Sequence, residues 1–149
     1  MKEHKIEKDF IINGFRCIIL GHKLGHRCGY IEIPEDCELY GNDYNYINNF
    51  INVHGGWTYS EYAAYNYPAK SSTNSFWIGF DCAHWGDAKD IELIKSFGDD
   101  VHTDLMIKMQ ERFPEHGEIR STEYVENELV NAVKQIIQFN NRSIDIGCK

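Results

Sequence analysis

The sequence has few basic residues and no long apolar segment. It carries 15 Lys and Arg against 23 Asp and Glu, which gives a net charge of −8. A chain with this charge repels the phosphates of nucleic acid, so we expect no nonspecific binding to DNA or RNA. No apolar run approaches the roughly 20 residues of a membrane-spanning helix, and MKEHKIEKDF lacks the apolar region of a secretory signal. The sequence therefore predicts a cytoplasmic protein without a membrane partner.

The cysteines lack the pattern of a disulfide framework. Their number is odd and no two have C-x-x-C spacing. This usage is typical of a reducing compartment, where thiols are buried or functional. The sequence therefore predicts free thiols at Cys17, Cys28, Cys37, Cys82 and Cys148.

Aromatic residues are in excess, with 9 Tyr, 8 Phe and 3 Trp, and they lie mostly in a half of the chain that favours β structure. Asn13-Gly14 stands between two apolar runs within residues 9–33, which is the local signal for a tight hairpin. The further predicted elements of this half are a strand at 28–33, a short helix in YNYINNF, a strand, Gly-Gly break and strand over 51–62, and a buried strand at 76–80.

The second half favours helices. Over residues 121–141, apolar side chains recur at steps of three and four, and Ser121 or Thr122 can cap the helix start. Because 149 residues suffice for one well-formed core, we predict a single α+β domain over 1–149. It has an aromatic-rich antiparallel sheet in a β-rich part (9–87), and the C-terminal helices of a mainly helical part (88–141) pack on that sheet.

The stretch FWIGFDCAHWGD, residues 76–87, places polar side chains directly after the predicted buried strand. Asp81, Cys82, His84 and Asp87 follow one another within seven positions, and Gly86 breaks the chain. Polar groups at a strand end are satisfied by water or backbone, so this is where a site is built at least cost. A purely structural interpretation also fits: the acids cap turns, the thiol fills the core and the imidazole is buried.

The stretch NVHGGW supplies a second histidine beside two glycines. His54 is followed by Gly55 and Gly56, which permit close approach of a ligand or another backbone, although Gly-Gly is equally compatible with a plain hairpin turn. If the two stretches form neighbouring strands, His54 and His84 lie within side-chain reach across one face, with their Cβ atoms about 5–8 Å apart. The combined residues fit a thiolate–imidazole nucleophile, a metal site or a polar pocket floor.

Catalysis finds less support than binding in these patterns. Asp81 beside Cys82 opposes formation of a thiolate, and the spacing matches no closed zinc site. HKLGHRC offers His22, His26 and Cys28 as another ligand set, or simply a solvated hairpin connection. We therefore predict no metal and no cofactor. If the protein is an enzyme, His54 and His84 act as the catalytic pair, with Asp87 as the orienting group or metal ligand.

Two further groups of residues bear on the ligand. Arg16, Lys23 and Arg27 concentrate positive charge around one hairpin of an acidic protein, and an anion would be attracted there. Aromatic rings near the two histidines can stack on a base, worth about 1–3 kcal/mol per base. The candidate stacking residues are Trp57, Trp77 and Trp85.

The chain resembles a group of small proteins of unassigned chemistry found in tailed phages and prophages. The resemblance rests on GYIEIPEDCELYGNDY, NVHGG and GFDCAHWGD, and so covers residues 29–87 in pieces. It implies a phage accessory protein in the cytoplasm of an infected bacterium, and such proteins often counter host defence. We therefore expect a homo-oligomer that sequesters a nucleotide-derived anion. The alternatives are a hydrolase that degrades such a signal, and a protein that binds and inhibits a host effector.

Overall fold

The computed structural model describes residues 3–63, 67–69, 74–98, 101–114 and 116–147. The strands are β1 (His4–Ile12), β2 (Phe15–His22), β3 (Arg27–Ile33), β4 (Tyr59–Tyr62), β5 (Phe76–Asp81), β6 (Asp87–Ala88) and β7 (Glu118–Ile119). The helices are α1 (Tyr44–Ile47), α2 (Ile91–Lys95), α3 (Val101–Arg112) and α4 (Thr122–Gly147). The predicted α+β class is confirmed.

Five strands form one antiparallel sheet in the order β1-β2-β3-β5-β4. The predicted hairpin at Asn13-Gly14 is confirmed, and both residues have positive φ, 48° and 87°. Two consecutive positive φ values match the right-handed twist of the flanking strands, which explains the preference for Asn-Gly. β6 and β7 form a separate two-stranded parallel ladder.

Helix α4 covers one face of the sheet. Its apolar stripe, Val125, Leu129, Ala132, Val133 and Ile136, is fully buried, as the three- and four-residue spacing predicts. Ser121 caps the helix by accepting a hydrogen bond from the Tyr124 backbone N–H at 3.1 Å. Phe76, Ile78 and Phe80 of β5 lie in the core that α4 covers, whereas Trp77 lies in a second core cluster.

Residues 51–54 do not form the predicted strand; this segment is a loop. The backbone N–H of Asn52 donates to Gln135 Oε1 at 2.7 Å, and that of His54 donates to Glu128 Oε1 at 2.7 Å. Side chains of α4 therefore satisfy the groups that a neighbouring strand would otherwise pair. Only the second half of the predicted unit is a strand, β4.

Within the described ranges, no helix is both long enough and apolar enough to span a membrane. Cys148 lies outside the described residues, and the other four cysteines are free.

Candidate functional site

His54 and His84 meet, although not across paired strands. His54 lies in the loop before β4 and His84 in the loop after β5, and their ring centroids are 6.1 Å apart. Gly55 makes this approach feasible, because a Cβ at this position would overlap the His84 ring. Gly55 and Gly56 have φ of +69° and +82°, a conformation that favours glycine. The two sequence stretches therefore form one site.

Both ring nitrogens of His54 have partners within the protein. Nε2 lies 2.9 Å from Asp87 Oδ2, and Nδ1 lies 2.8 Å from the hydroxyl of Tyr124. A carboxylate only accepts, so Nε2 carries the hydrogen, and in the neutral ring Nδ1 accepts from Tyr124. The Tyr124 ring also packs edge-on against His54, with centroids 5.4 Å apart.

Asp87 is the buried acceptor at the centre of the site, with a side chain only 2% exposed. Arg120 Nε donates to its Oδ1 at 2.8 Å, and the His84 backbone N–H donates to its Oδ2 at 3.1 Å. Burial alone would raise the pKa of Asp87, but the hydrogen bonds from His54, Arg120 and the His84 backbone outweigh burial and lower it. Asp87 is therefore an ionised, fully bonded carboxylate at neutral pH.

Arg120 connects this carboxylate to the rest of the site. Its Nη1 donates to Glu118 Oε2 at 2.9 Å, and its guanidinium lies over the Tyr124 ring at 4.8 Å. The carbonyl of Arg120 accepts from Arg27 Nη1 at 3.1 Å. The segment between β7 and α4 thus holds Asp87 by charge and Tyr124 by stacking.

Cys82 does not have the properties of a nucleophile. It is buried, and burial together with the nearby carboxylates of Asp87 and Asp81 raises its pKa to about 12. At neutral pH the thiol is protonated and packs in the core that α4 covers. The thiolate–imidazole interpretation of the sequence is therefore not supported.

His84 pairs loosely with Asp81. Its Nε2 lies 3.3 Å from Asp81 Oδ1, but this nitrogen is buried and makes no hydrogen bond in the described part of the protein. Asp81 is itself oriented by the Ala83 backbone N–H at 3.1 Å and the Thr58 hydroxyl at 3.3 Å. This nitrogen packs against Gly55, and His84 presents the rest of its partly exposed ring to the groove.

A groove of about 490 Å³ opens beside His84. One wall is the loop after β5, and the other is the segment after α3 with Phe113, Pro114 and His116. Trp85 is fully exposed and Phe113 is 65% exposed. Lys89 contributes positive charge, whereas burial and the neighbouring His22 lower the pKa of His26, which leaves it a neutral hydrogen-bonding group. The remaining lining residues are Cys82, Ala83, Gly86, Asp87 and Ala88.

Two predicted stacking residues are in the core instead. Trp57 is 1% exposed, donates its indole N–H to the Ile51 carbonyl at 3.0 Å and packs edge-on against Phe80. Trp77 is fully buried in the second core cluster. The prediction that Trp57 and Trp77 stack on a ligand is therefore wrong; of the three tryptophans, Trp85 alone is exposed and lines the groove.

The predicted phosphate contacts are also wrong for both arginines. Arg16 forms a two-pronged pair with Asp9, with N–O distances of 3.1 and 2.8 Å. Arg27 is buried, and its guanidinium pairs with Glu7 at 2.6 Å and Asp90 at 2.9 Å. Lys23 lies in the turn between β2 and β3 and is not among the groove-lining residues. Both guanidinium groups are thus engaged by carboxylates, and none of the three residues lines the groove.

The alternative metal ligands do not converge. His22 and His26 stack on each other, with centroids 4.5 Å apart, and the pKa of the Cys28 thiol is raised to about 12 by burial and Asp81. Among the residues that the structure describes, no three His, Cys, Asp or Glu side chains are arranged to hold a metal ion.

Sequence reasoning missed several residues of the site. Tyr124 and Arg120 contact His54 and Asp87 directly, yet they lie more than 30 positions further along the chain. No local signal marks Tyr124, which occupies an ordinary position in the first turn of a helix. Phe113 and His116 lie between α3 and β7 and join the groove through the packing of that segment, whereas Lys89 lies directly after β6.

Comparisons with protein-family models, curated proteins and solved structures found no match at any of the three levels. The chemistry of the groove and of the residues behind it is therefore the basis for inferring a function.

Proposed function

We propose that the protein binds a small aromatic anion, such as a nucleotide, in the groove beside His84 and does not change it chemically. The main support for this proposal is that the polar side chains behind the groove already hydrogen-bond to one another. These residues are His54, Asp87, Arg120 and Tyr124. His54 and Asp87, the residues best suited to proton transfer, have both been committed to partners within the protein.

Side chains whose hydrogen-bonding atoms are all occupied within the protein can support a groove, but they are not available as a catalytic base. A general base needs a free lone pair directed at the proton that it removes, but His54 directs Nδ1 at Tyr124 and Nε2 at Asp87. A nucleophile needs an accessible ionised form, but Cys82 is buried with a pKa raised to about 12. The cluster fixes the loop after β5, and with it the groove wall.

The groove lining favours a ligand that has both a ring and a negative charge. Trp85 and Phe113 offer two exposed aromatic surfaces, and a base stacked on such a ring gains about 1–3 kcal/mol. Lys89 supplies positive charge, His116 supplies hydrogen-bonding nitrogens, and the partly exposed ring of His84 forms part of the wall. A volume of about 490 Å³ suits a ligand of nucleotide size.

The resemblance of GFDCAHWGD to phage accessory proteins supplies the biological setting of the proposal. In the cytoplasm of an infected bacterium, a protein that holds a nucleotide-derived immune signal intact lowers the free concentration of that signal. Sequestration of this kind requires affinity and abundance but no turnover.

The binding test uses thermal unfolding of the full chain with AMP, cyclic AMP and ADP-ribose as probes, together with mass spectrometry of co-purifying molecules. Ligand at 100 times its Kd raises stability by about 2.7 kcal/mol. His84→Ala and Trp85→Ala should abolish this shift, while costing within about 0.5 kcal/mol of stability themselves. Tyr46→Ala, another exposed aromatic, is the matched control and should leave the shift unchanged. Absence of any shift and of any co-purifying molecule would contradict the proposal.

Recovery of the ligand separates binding from hydrolysis. Protein and bound molecule are heat-denatured together, and the released molecule is analysed by mass spectrometry. A binder returns the molecule intact. A chemically changed product in excess of the protein, lost in His54→Ala or His84→Ala, would instead identify the hydrolase.

A further inference from the structure

The charge of the groove depends on its histidines. Its lining residues include one acid, Asp87, and one base, Lys89, so their charges cancel while every imidazole is neutral. The lining histidines are His26, His84 and His116. An anion in the groove therefore meets no excess of positive charge among the lining residues until one of these rings takes up a proton.

Charged groups just outside the lining do not supply that excess. The two arginines that pair with residues of the lining or next to it are each matched by two carboxylates. These pairs are Arg120 with Asp87 and Glu118, and Arg27 with Glu7 and Asp90. Arg112 lies over the Phe113 ring at 5.6 Å, but it is exposed and next to the exposed acid Glu111. Asp81 adds a further negative charge 3.3 Å from Nε2 of His84.

His26 lies directly before β3, where the chain passes close to Lys89. A Cβ on Gly25 would lie 3.1 Å from the Cβ of Lys89, so the two segments are in contact at this end of the groove. The His26 ring stacks on that of His22, with centroids 4.5 Å apart and 14° between the planes. Because Nδ1 of His22 accepts from the Leu24 backbone N–H at 3.1 Å, His22 is held in its neutral form.

Before a ligand binds, His26 is neutral at pH 7. Burial is the main cause that lowers its pKa, and His22 and Lys89 lower it further, whereas Asp81 and Asp87 act in the opposite direction without reversing the shift. A bound anion acts in the same direction as the two carboxylates, so it stabilises the imidazolium form.

We propose that the anionic group of the groove ligand binds beside His26 and Lys89, and that His26 takes up a proton when it binds. This rests on the proposed function and adds the group that recognises the phosphate. Water screens a charge less beside the half-buried His26 than beside the exposed His116, so the anion acts more strongly on His26. Affinity therefore rises as the pH falls, by up to about tenfold per pH unit for one proton.

Titration calorimetry of the full chain with cyclic AMP and ADP-ribose counts the protons. The phosphate diesters of both probes do not titrate between pH 6 and pH 8, so any proton that is taken up belongs to the protein. The measured enthalpy at pH 7 should depend on the ionisation enthalpy of the buffer, with a slope that corresponds to uptake of up to about one proton. The affinity should rise about tenfold from pH 8 to pH 6.

Two substitutions of His26 separate a proton acceptor from a merely structural residue. His26→Gln should abolish the uptake and the pH dependence. His26→Lys carries a permanent positive charge, so it should bind equally well at pH 6 and pH 8 without uptake. His102→Gln is the matched control, because His102 is an exposed histidine of α3 outside the groove lining, and it should leave the uptake unchanged.

The failure of this proposal is distinguishable from the failure of the proposed function. Binding of either probe without proton uptake would leave the binding function in place and overturn the role of His26. Uptake that is lost in His116→Gln but kept in His26→Gln would also overturn it. If neither probe binds, which the calorimetry shows directly, both proposals are wrong.

Discussion

Among single residues, Asp87 determines how the site is held together. A buried carboxylate is stable only when charged and hydrogen-bonding partners replace the water that it has lost. Asp87 receives three such bonds, from the His54 ring, the Arg120 guanidinium and the His84 backbone. The buried carboxylate therefore fixes His54, His84 and Arg120 relative to each other.

Asp87→Asn should destabilise the protein by about 3–5 kcal/mol, because it removes the buried charge to which Arg120 Nε and the His54 ring are bonded. The pKa of Asp87 is lowered in the folded state. Its stabilisation is therefore complete above the unfolded pKa of about 3.9 and is lost as the pH falls through the lower folded pKa. Urea unfolding between pH 2 and pH 7 should show a steep acid loss in wild type that is weaker in Asp87→Asn.

Asp9→Asn is the control for this measurement. The pKa of Asp9 is also lowered, by its bond to Arg16, but this pair is partly exposed and contributes little. An acid slope that is equally weakened by both variants would contradict the central role of Asp87.

Single residues also show which parts of the site can be predicted from the sequence and which cannot. The polar run after β5 identifies His84, Asp81 and Asp87 because the signal is local: a buried strand ends in polar groups. The prediction that Arg27 contacts a phosphate is wrong because its partners are distant in sequence: Glu7 precedes it and Asp90 follows it. Net charge around a hairpin does not reveal which cations are already neutralised.

Among the elements, the loop at residues 51–56 depends on α4 more than on the sheet. Gln135 accepts from the Asn52 backbone N–H at 2.7 Å and donates to the Asn52 carbonyl at 2.9 Å. Glu128 accepts from the His54 backbone N–H. Side chains of α4 therefore make the hydrogen bonds to this segment that the backbone of a neighbouring strand would make in a sheet.

Gln135→Ala should free this loop while the sheet remains intact. Loss of the two bonds to Asn52 costs about 1–3 kcal/mol, at about 0.5–1.5 kcal/mol for each bond. Amide hydrogen exchange should accelerate at residues 52–56 but not in β2 or β3. Lys134→Ala, an exposed neighbour on the same helix turn, is the control. Uniform acceleration across the sheet would show that Gln135 supports the whole fold and not this loop.

The elements that the sequence predicts are those with local signals. Asn13-Gly14 determines its hairpin within four residues, and the apolar period of α4 is visible from Val125 to Ile136. The segment 51–54 has β-like composition, but its backbone partners are more than 70 residues away. A pattern within the segment cannot distinguish a strand from a loop that a distant helix clamps.

Across the fold as a whole, thiols lie on both sides of the sheet, and the four described ones are free. Cys17 and Cys82 belong to the core that α4 covers, and Cys28 packs against the other cluster. Burial raises the pKa of each of these three thiols to about 12. The native fold therefore protects its cysteines by protonation as well as by packing.

Alkylation with iodoacetamide at pH 8 should be slow at Cys17, Cys28 and Cys82 in the native protein and fast in urea. A rise in pKa from 9.0 to about 12 leaves on the order of a thousand-fold less thiolate. Peptide mass spectrometry, site by site, measures the ratio of the two rates. Native labelling of Cys82 at the unfolded rate would show that the loop after β5 opens freely.

The clamp of α4 on residues 52–54 has a consequence for the order of assembly during protein synthesis. Gln135 follows Asn52 by 83 residues, which a ribosome adds in roughly 4–17 s at about 5–20 residues per second. Strands β1, β2 and β3 emerge first and can pair by themselves, whereas the loop at residues 51–56 lacks the side-chain partners of the Asn52 and His54 backbone until α4 has been translated. A nascent chain arrested before α4 would therefore carry much of the sheet and the residues that line the groove, but His54 would lack Tyr124 and its loop would lack Glu128 and Gln135.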